Sequence, residues 1–207
     1  MKNIKRVFEW IFILALAAVL ADAVLMLTSP REEFRLPGHN QGFAPVQPVA
    51  FSHALHAGTL GIACLYCHSG AERSPVAGIP PLQTCLGCHR FVTHASGQTG
   101  VSPELRKLYD AAGLGPDLRP IPGRKPHPIQ WVRVDELPGF VRFDHSRHVL
   151  AGVSCQTCHG PVQDMDRVRQ VRTLDMGMCI NCHRAADKDG IDGKKVHASL
   201  DCSVCHY

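Results

Sequence analysis

All ten cysteines of the chain fall into five copies of one pentapeptide, C-x-x-C-H, reading CLYCH at 64–68, CLGCH at 85–89, CQTCH at 155–159, CINCH at 179–183 and CSVCH at 202–206. Two thiols separated by two residues and followed at once by a histidine form the attachment signature of c-type haem. The thiols make thioethers to the porphyrin, and the histidine ligates the iron from one side. The sequence therefore predicts five covalent haems. Their attachment sulfurs are Cys64, Cys67, Cys85, Cys88, Cys155, Cys158, Cys179, Cys182, Cys202 and Cys205, and their proximal ligands are His68, His89, His159, His183 and His206. A disulfide framework gives no reason for a histidine after every pair. Structural zinc gathers Cys/His sets around one shared metal rather than repeating a pentapeptide. A thioredoxin-like pair would occur once, beside a βαβ pattern.

The first 28 residues set the expected compartment. Lys2, Lys5 and Arg6 precede an apolar run from Phe8 to Leu27, interrupted by Glu9 and Asp22. Twenty helical residues cover about 30 Å, the thickness of a bilayer core. With the positive flank kept in the cytoplasm, everything after Thr28 faces outward, outside the cytoplasm. The rival reading is a cleaved signal peptide ending near Ala21-Asp22-Ala23. The retained single-pass anchor is favoured because the apolar run continues to Leu27.

The exported part offers roughly 36 residues per haem, too few for an ordinary core. Aromatic residues make up 6% of the chain, whereas it has 18 Gly and 15 Pro. The expected fold class is a multihaem cytochrome c: mostly irregular, with short α-helices packed round five covalent haems, plus one N-terminal transmembrane helix. The formal charge of +4 omits the propionates, about two per haem, so the loaded protein is near neutral to acidic. Nothing in the sequence supports nucleic-acid binding.

An internal duplication organises the chain. FSHALHAGTLGIAC at 51–64 aligns with FDHSRHVLAGVSC at 143–155, which is one residue shorter, and each segment leads into two haem sites. The expected divisions are an anchor or signal peptide at 1–28, a linker at 29–50 and a first dihaem module at 51–90. A Pro-rich connecting segment at 91–142, a second dihaem module at 143–184 and a fifth haem site at 185–207 follow. Within the connecting segment LRKLYDAAG at 105–113 predicts a short helix ended by Gly113, and 119–131 is expected to be extended.

The distal face of each iron decides between electron transfer and catalysis, because an open face can bind a substrate. His53 and His56, like His145 and His148, are spaced i, i+3 and precede a haem site, which makes all four distal-ligand candidates. For the remaining iron the candidates are Met165, Met176, Met178, His94, His127 and His197, and a methionine there would raise the potential.

The order of these motifs resembles the pentahaem cytochrome c subunit of bacterial alternative complex III, a class III multihaem cytochrome c-like chain. The likeness is carried by residues 51–89, by PIQWVRVDELPGFVRFDHSRHVLAGVSCQTCHGPVQDM, by LDMGMCINCHR and by the closing DCSVCHY. It implies a membrane-anchored electron-transfer subunit of a quinol-oxidising respiratory complex, not an enzyme on its own. Such a subunit takes electrons from an iron–sulfur partner beside polytopic quinol-oxidising subunits and passes them to a small cytochrome c or a terminal oxidase. Two positions depart from the family pattern: Asp135 stands where a histidine is common, and Met178 where a tryptophan is. If that histidine is a ligand in relatives, His127 is the nearby substitute here. The competing readings are a stand-alone anchored quinol dehydrogenase feeding a periplasmic reductase, and a catalytic multihaem reductase.

Overall fold

The computed structural model describes residues 2–28, 37–95 and 97–207. The chain divides into two compact units, 1–35 and 36–207. The first contains helix α1, Lys2–Thr28. Its side chains Phe8, Trp10, Phe12, Leu16 and Leu20 are exposed. Among the described residues no helix is long and apolar enough to cross a membrane. The span expected from Phe8 to Leu27 includes Glu9 and the residues from 26 onward, whose side chains lie outside the described ones.

The second unit is built from short helices and loops, with no strand among the described residues, only isolated bridges such as Val141 to His206. Each haem pentapeptide lies on a helix or at its end: α2 (Cys64–Cys67), α3 (Leu82–His89), α6 (Cys155–His159), α7 (Met176–Asp189) and α8 (Cys202–Cys205). One helical turn brings two cysteines three apart to one side and sends the histidine after them. Asp175 and Asp201 cap α7 and α8 by accepting from the amides of Met178 and Ser203.

The duplicated segments fold as near-copies with one difference. His145–Leu150 is an α-helix, α5, whereas Ala54–Thr59 is a π-helix whose Leu60 amide donates to Leu55. A π-turn is what an α-helix becomes when it absorbs an extra residue, and the first segment carries that residue. The bond that closes each segment is preserved: Ile62 donates to the His56 carbonyl, and Val153 to that of His148, both at 3.0 Å.

The buried apolar core of the described polypeptide is small. Its main cluster joins Leu86 of α3 to Leu108 and Tyr109 of α4 (Pro103–Ala111), with Leu82, Leu105 and Leu118 around it. The sequence expected this helix over 105–113. It starts earlier because Ser102 caps it, accepting from the Leu105 amide, with Pro103 in its first turn. Gly113, at φ +75, follows its end as expected. The Pro-rich segment therefore packs on the helix of the second haem site. Tyr109, 1% exposed, donates its hydroxyl to the His89 carbonyl.

Candidate haem-binding site

Four pairs of imidazole rings face one another. His53 lies 6.5 Å from His68, His56 6.0 Å from His89, His145 6.3 Å from His159 and His148 6.1 Å from His183, between ring centroids. Two imidazoles ligating one metal from opposite sides, with metal–nitrogen bonds of about 2 Å and about 1.1 Å of ring on either side, would span about 6.2 Å. Each pair joins one of the duplicated histidines to the histidine of a different pentapeptide, so the first four haem sites each have a facing imidazole. The interplanar angles are 8°, 63°, 0° and 36° in the same order.

The second ring nitrogens show how the imidazoles are set. Nδ1 of His56, His68, His89, His145, His148 and His183 lies 2.7–2.8 Å from the carbonyl oxygens of Ser52, Gly78, Val92, Pro75, Asp144 and Ser199 respectively. Nδ1 of His159 lies 2.8 Å from Asp135 Oδ2. Carbonyl and carboxylate oxygens only accept, so Nδ1 carries the proton and Nε2 keeps the lone pair a metal needs. The His53 Nδ1 is buried without a partner. Burial, then the neighbouring His68 and His56, push the His53 pKa down to about 4, which also keeps the ring neutral.

The phenylalanines of the duplicated motif hold these rings. Phe51 stacks on His56 at 4.2 Å and Phe143 on His148 at 4.5 Å, while each meets the earlier histidine edge-on at 4.8 Å. The sequence reading singled out the histidines and not this clamp, although the F-x-H-x-x-H repeat carried the signal.

The sites also adjoin one another. Burial pushes up the thiols of Cys67, Cys85, Cys155, Cys158 and Cys179, and in each a thiol of another pentapeptide adds to the shift. Cys67 neighbours Cys88; Cys155 neighbours Cys64, with a side-chain hydrogen bond; Cys158 neighbours Cys182 and Cys179; Cys179 neighbours Cys205. Each attachment site therefore has a thiol of at least one other site near it. The packing of α5 against the 3-10 turn Ser69–Glu72 joins the first and third sites independently.

The fifth site differs. Among the described residues no imidazole faces His206; its ring neighbour is Phe140, at 5.9 Å and 26°. Met165 is 4% exposed, and its carbonyl accepts from the Ala54 amide at the foot of the π-helix. Met176 opens α7 and is 67% exposed. Met178 is half-buried; His94, His127 and His197 are exposed. His94 pairs with Thr93 and His197 with Asp187.

Facing imidazoles beside paired thiols are the arrangement that a covalently bound c-type haem would need. Residues 141–207 match the family described as cytochrome c7 and related cytochrome c. Over 180 residues the chain is 27% identical to the "Menaquinone reductase, multiheme cytochrome c subunit" of Nitratidesulfovibrio vulgaris, an alignment covering 77% of this chain and 76% of that protein.

Proposed function

We propose that this chain is the membrane-anchored, exported electron-transfer subunit of a quinol-linked respiratory complex, of the alternative complex III kind by its motif order. The observation that carries the reading is the set of four facing histidine pairs. A haem held between two of the chain's own imidazoles would have no place for a substrate at its iron, which favours electron transfer over catalysis. A c-type haem supplies reversible one-electron storage at its iron. The chain's residues do the rest: the ten cysteines attach, the proximal histidines and His53, His56, His145 and His148 ligate, and the Nδ1 partners fix the rings. A fifth haem at CSVCH completes the set, with its distal ligand drawn from Met165, Met176, Met178, His94, His127 and His197.

The proposed donor is an iron–sulfur subunit beside polytopic quinol-oxidising subunits, and the acceptor a small cytochrome c or terminal oxidase. Helix α1 is the proposed anchor, supported by its 27 residues and its exposed apolar side chains. A second reading is favoured by the relative's description as part of a menaquinone reductase: the same subunit would deliver electrons to the quinone pool.

Purification from detergent-extracted membranes tests the proposal. Co-purification with iron–sulfur and polytopic subunits, and haem reduction by a menaquinol analogue, are the expected results. Haems that are reoxidised by the quinone but not reduced by the quinol would favour the second direction. A lone chain that turns over nitrite would sink both.

A further inference from the structure

Among the eight histidines of the four facing pairs, seven have a partner at Nδ1: six donate to main-chain carbonyls, and His159 alone donates to a carboxylate. In the first module the equivalent ring, His68, is served by the carbonyl of Gly78. Asp135 belongs to neither copy of the duplication. It comes from the connecting segment, which here reaches into the second module. The Asp135 side chain is 19% exposed and that of His159 37%, so solvent only partly screens the contact. Among the described residues His159 is the only ion-pair partner of Asp135.

A carboxylate draws the Nδ1 proton more strongly than a carbonyl does and leaves Nε2 a better electron donor. A stronger axial donor favours the oxidised state of the metal it holds, and second-shell hydrogen bonding is one of the levers that sets haem potential. The site affected sits against the first module: α5, which carries His145, packs on the 3-10 turn Ser69–Glu72 after CLYCH, and His145 Nδ1 donates to the Pro75 carbonyl.

We propose that Asp135 is a redox-tuning residue: through its bond to His159 it lowers the potential of the third haem site. The inference rests on the reading of His145 and His159 as an axial pair. Arg172 also acts on Cys158, with the opposite sign of charge, so Asp135 is read by the shift its replacement causes rather than by the rank of the site.

The test is a spectroelectrochemical titration of the haem-loaded full chain, unmodified and as Asp135→Asn, Asp135→Glu and His145→Ala. Asparagine keeps an acceptor oxygen beside Nδ1 but removes the charge. One of the five components should move to higher potential in Asp135→Asn, on the order of tenfold in its equilibrium, which is about 59 mV for one electron. It should be the component altered by His145→Ala, with the other four unmoved, the low-spin spectrum retained, and Asp135→Glu close to the unmodified protein. Five unchanged midpoints, or an equal shift of all five, would overturn the proposal. Loss of the haem or of its low-spin state in Asp135→Asn would make Asp135 a structural residue and overturn it too. If His145→Ala alters no low-spin component, the axial reading fails instead.

Discussion

The rings of His145 and His159 are parallel, at 0°, with centroids 6.3 Å apart. Nδ1 of His145 donates to the Pro75 carbonyl and that of His159 to Asp135. Both anchors lie outside the second dihaem module, so the pair is set by the fold around it rather than by its own segment.

Replacing one distal histidine by alanine should leave its porphyrin attached, because the cysteines and proximal histidine remain. The site should turn high-spin and bind cyanide, one haem of five in each of His53→Ala, His56→Ala, His145→Ala and His148→Ala. Electronic and electron paramagnetic resonance spectra check this. Unchanged spectra in all four would remove these residues as ligands.

The denatured chain should retain five haems by mass, because thioethers survive acid extraction. Cys202→Ala with Cys205→Ala should lower the mass by one haem and leave the four paired sites low-spin. A mature protein carrying four haems would show that the pentapeptide at 202–206 is not an attachment site.

Glu104 holds two partners, the Lys107 ammonium at 2.7 Å and the Ala50 amide at 2.6 Å, so it ties the end of the linker, just before the first module, to α4. The bond from Lys107, then that from the Ala50 amide, holds its carboxyl below the usual range. A depressed folded value contributes stability above the ordinary glutamate pKa of about 4.3, and loses it as pH falls through the folded value. The melting temperature of Glu104→Gln should therefore lack this acid-limb component. The effect is small and weaker in high salt, because the pair is exposed. An acid limb identical to that of the unmodified protein would show that the tether contributes nothing.

The four histidines that face the pentapeptide histidines were legible as a set because their spacing recurs, and α4 because Gly113 marks its end. The pairings were not legible. That His53 faces His68 and His56 faces His89 depends on how α2 and α3 return to the π-helix, and spacing alone does not encode that path. The acceptors at Nδ1 were hidden for the same reason: a carbonyl such as Gly78 has no side chain to announce it. Asp135 stood out in the sequence only as an odd residue for its position, and the structure gives it a partner in His159. The π-turn was visible as a one-residue difference in length, although the sequence did not say where the extra residue would be absorbed.

The π-turn also sets the last expectation. Gly58 lies where Ala54–Thr59 packs against the 3-10 turn Val162–Asp164, and a Cβ built on it would collide with the Gln163 carbonyl oxygen. Backbone cannot yield there as a side-chain tip would, so Gly58→Ala must push the two segments apart. Overpacking of this kind costs about 1–3 kcal/mol. The same segment carries His56 and starts beside His53, so the displacement should reach the first two haem sites and leave the fourth unaffected. Gly139, whose Cβ would meet nothing within 4 Å and whose φ is not positive, is the control. Thermal unfolding should show Gly58→Ala less stable and Gly139→Ala nearly unchanged, with broadened low-spin signals from the first module and the fourth site unchanged. Equal stability of the two variants would mean that the approach of the π-helix to Gln163 is looser than the structure has it.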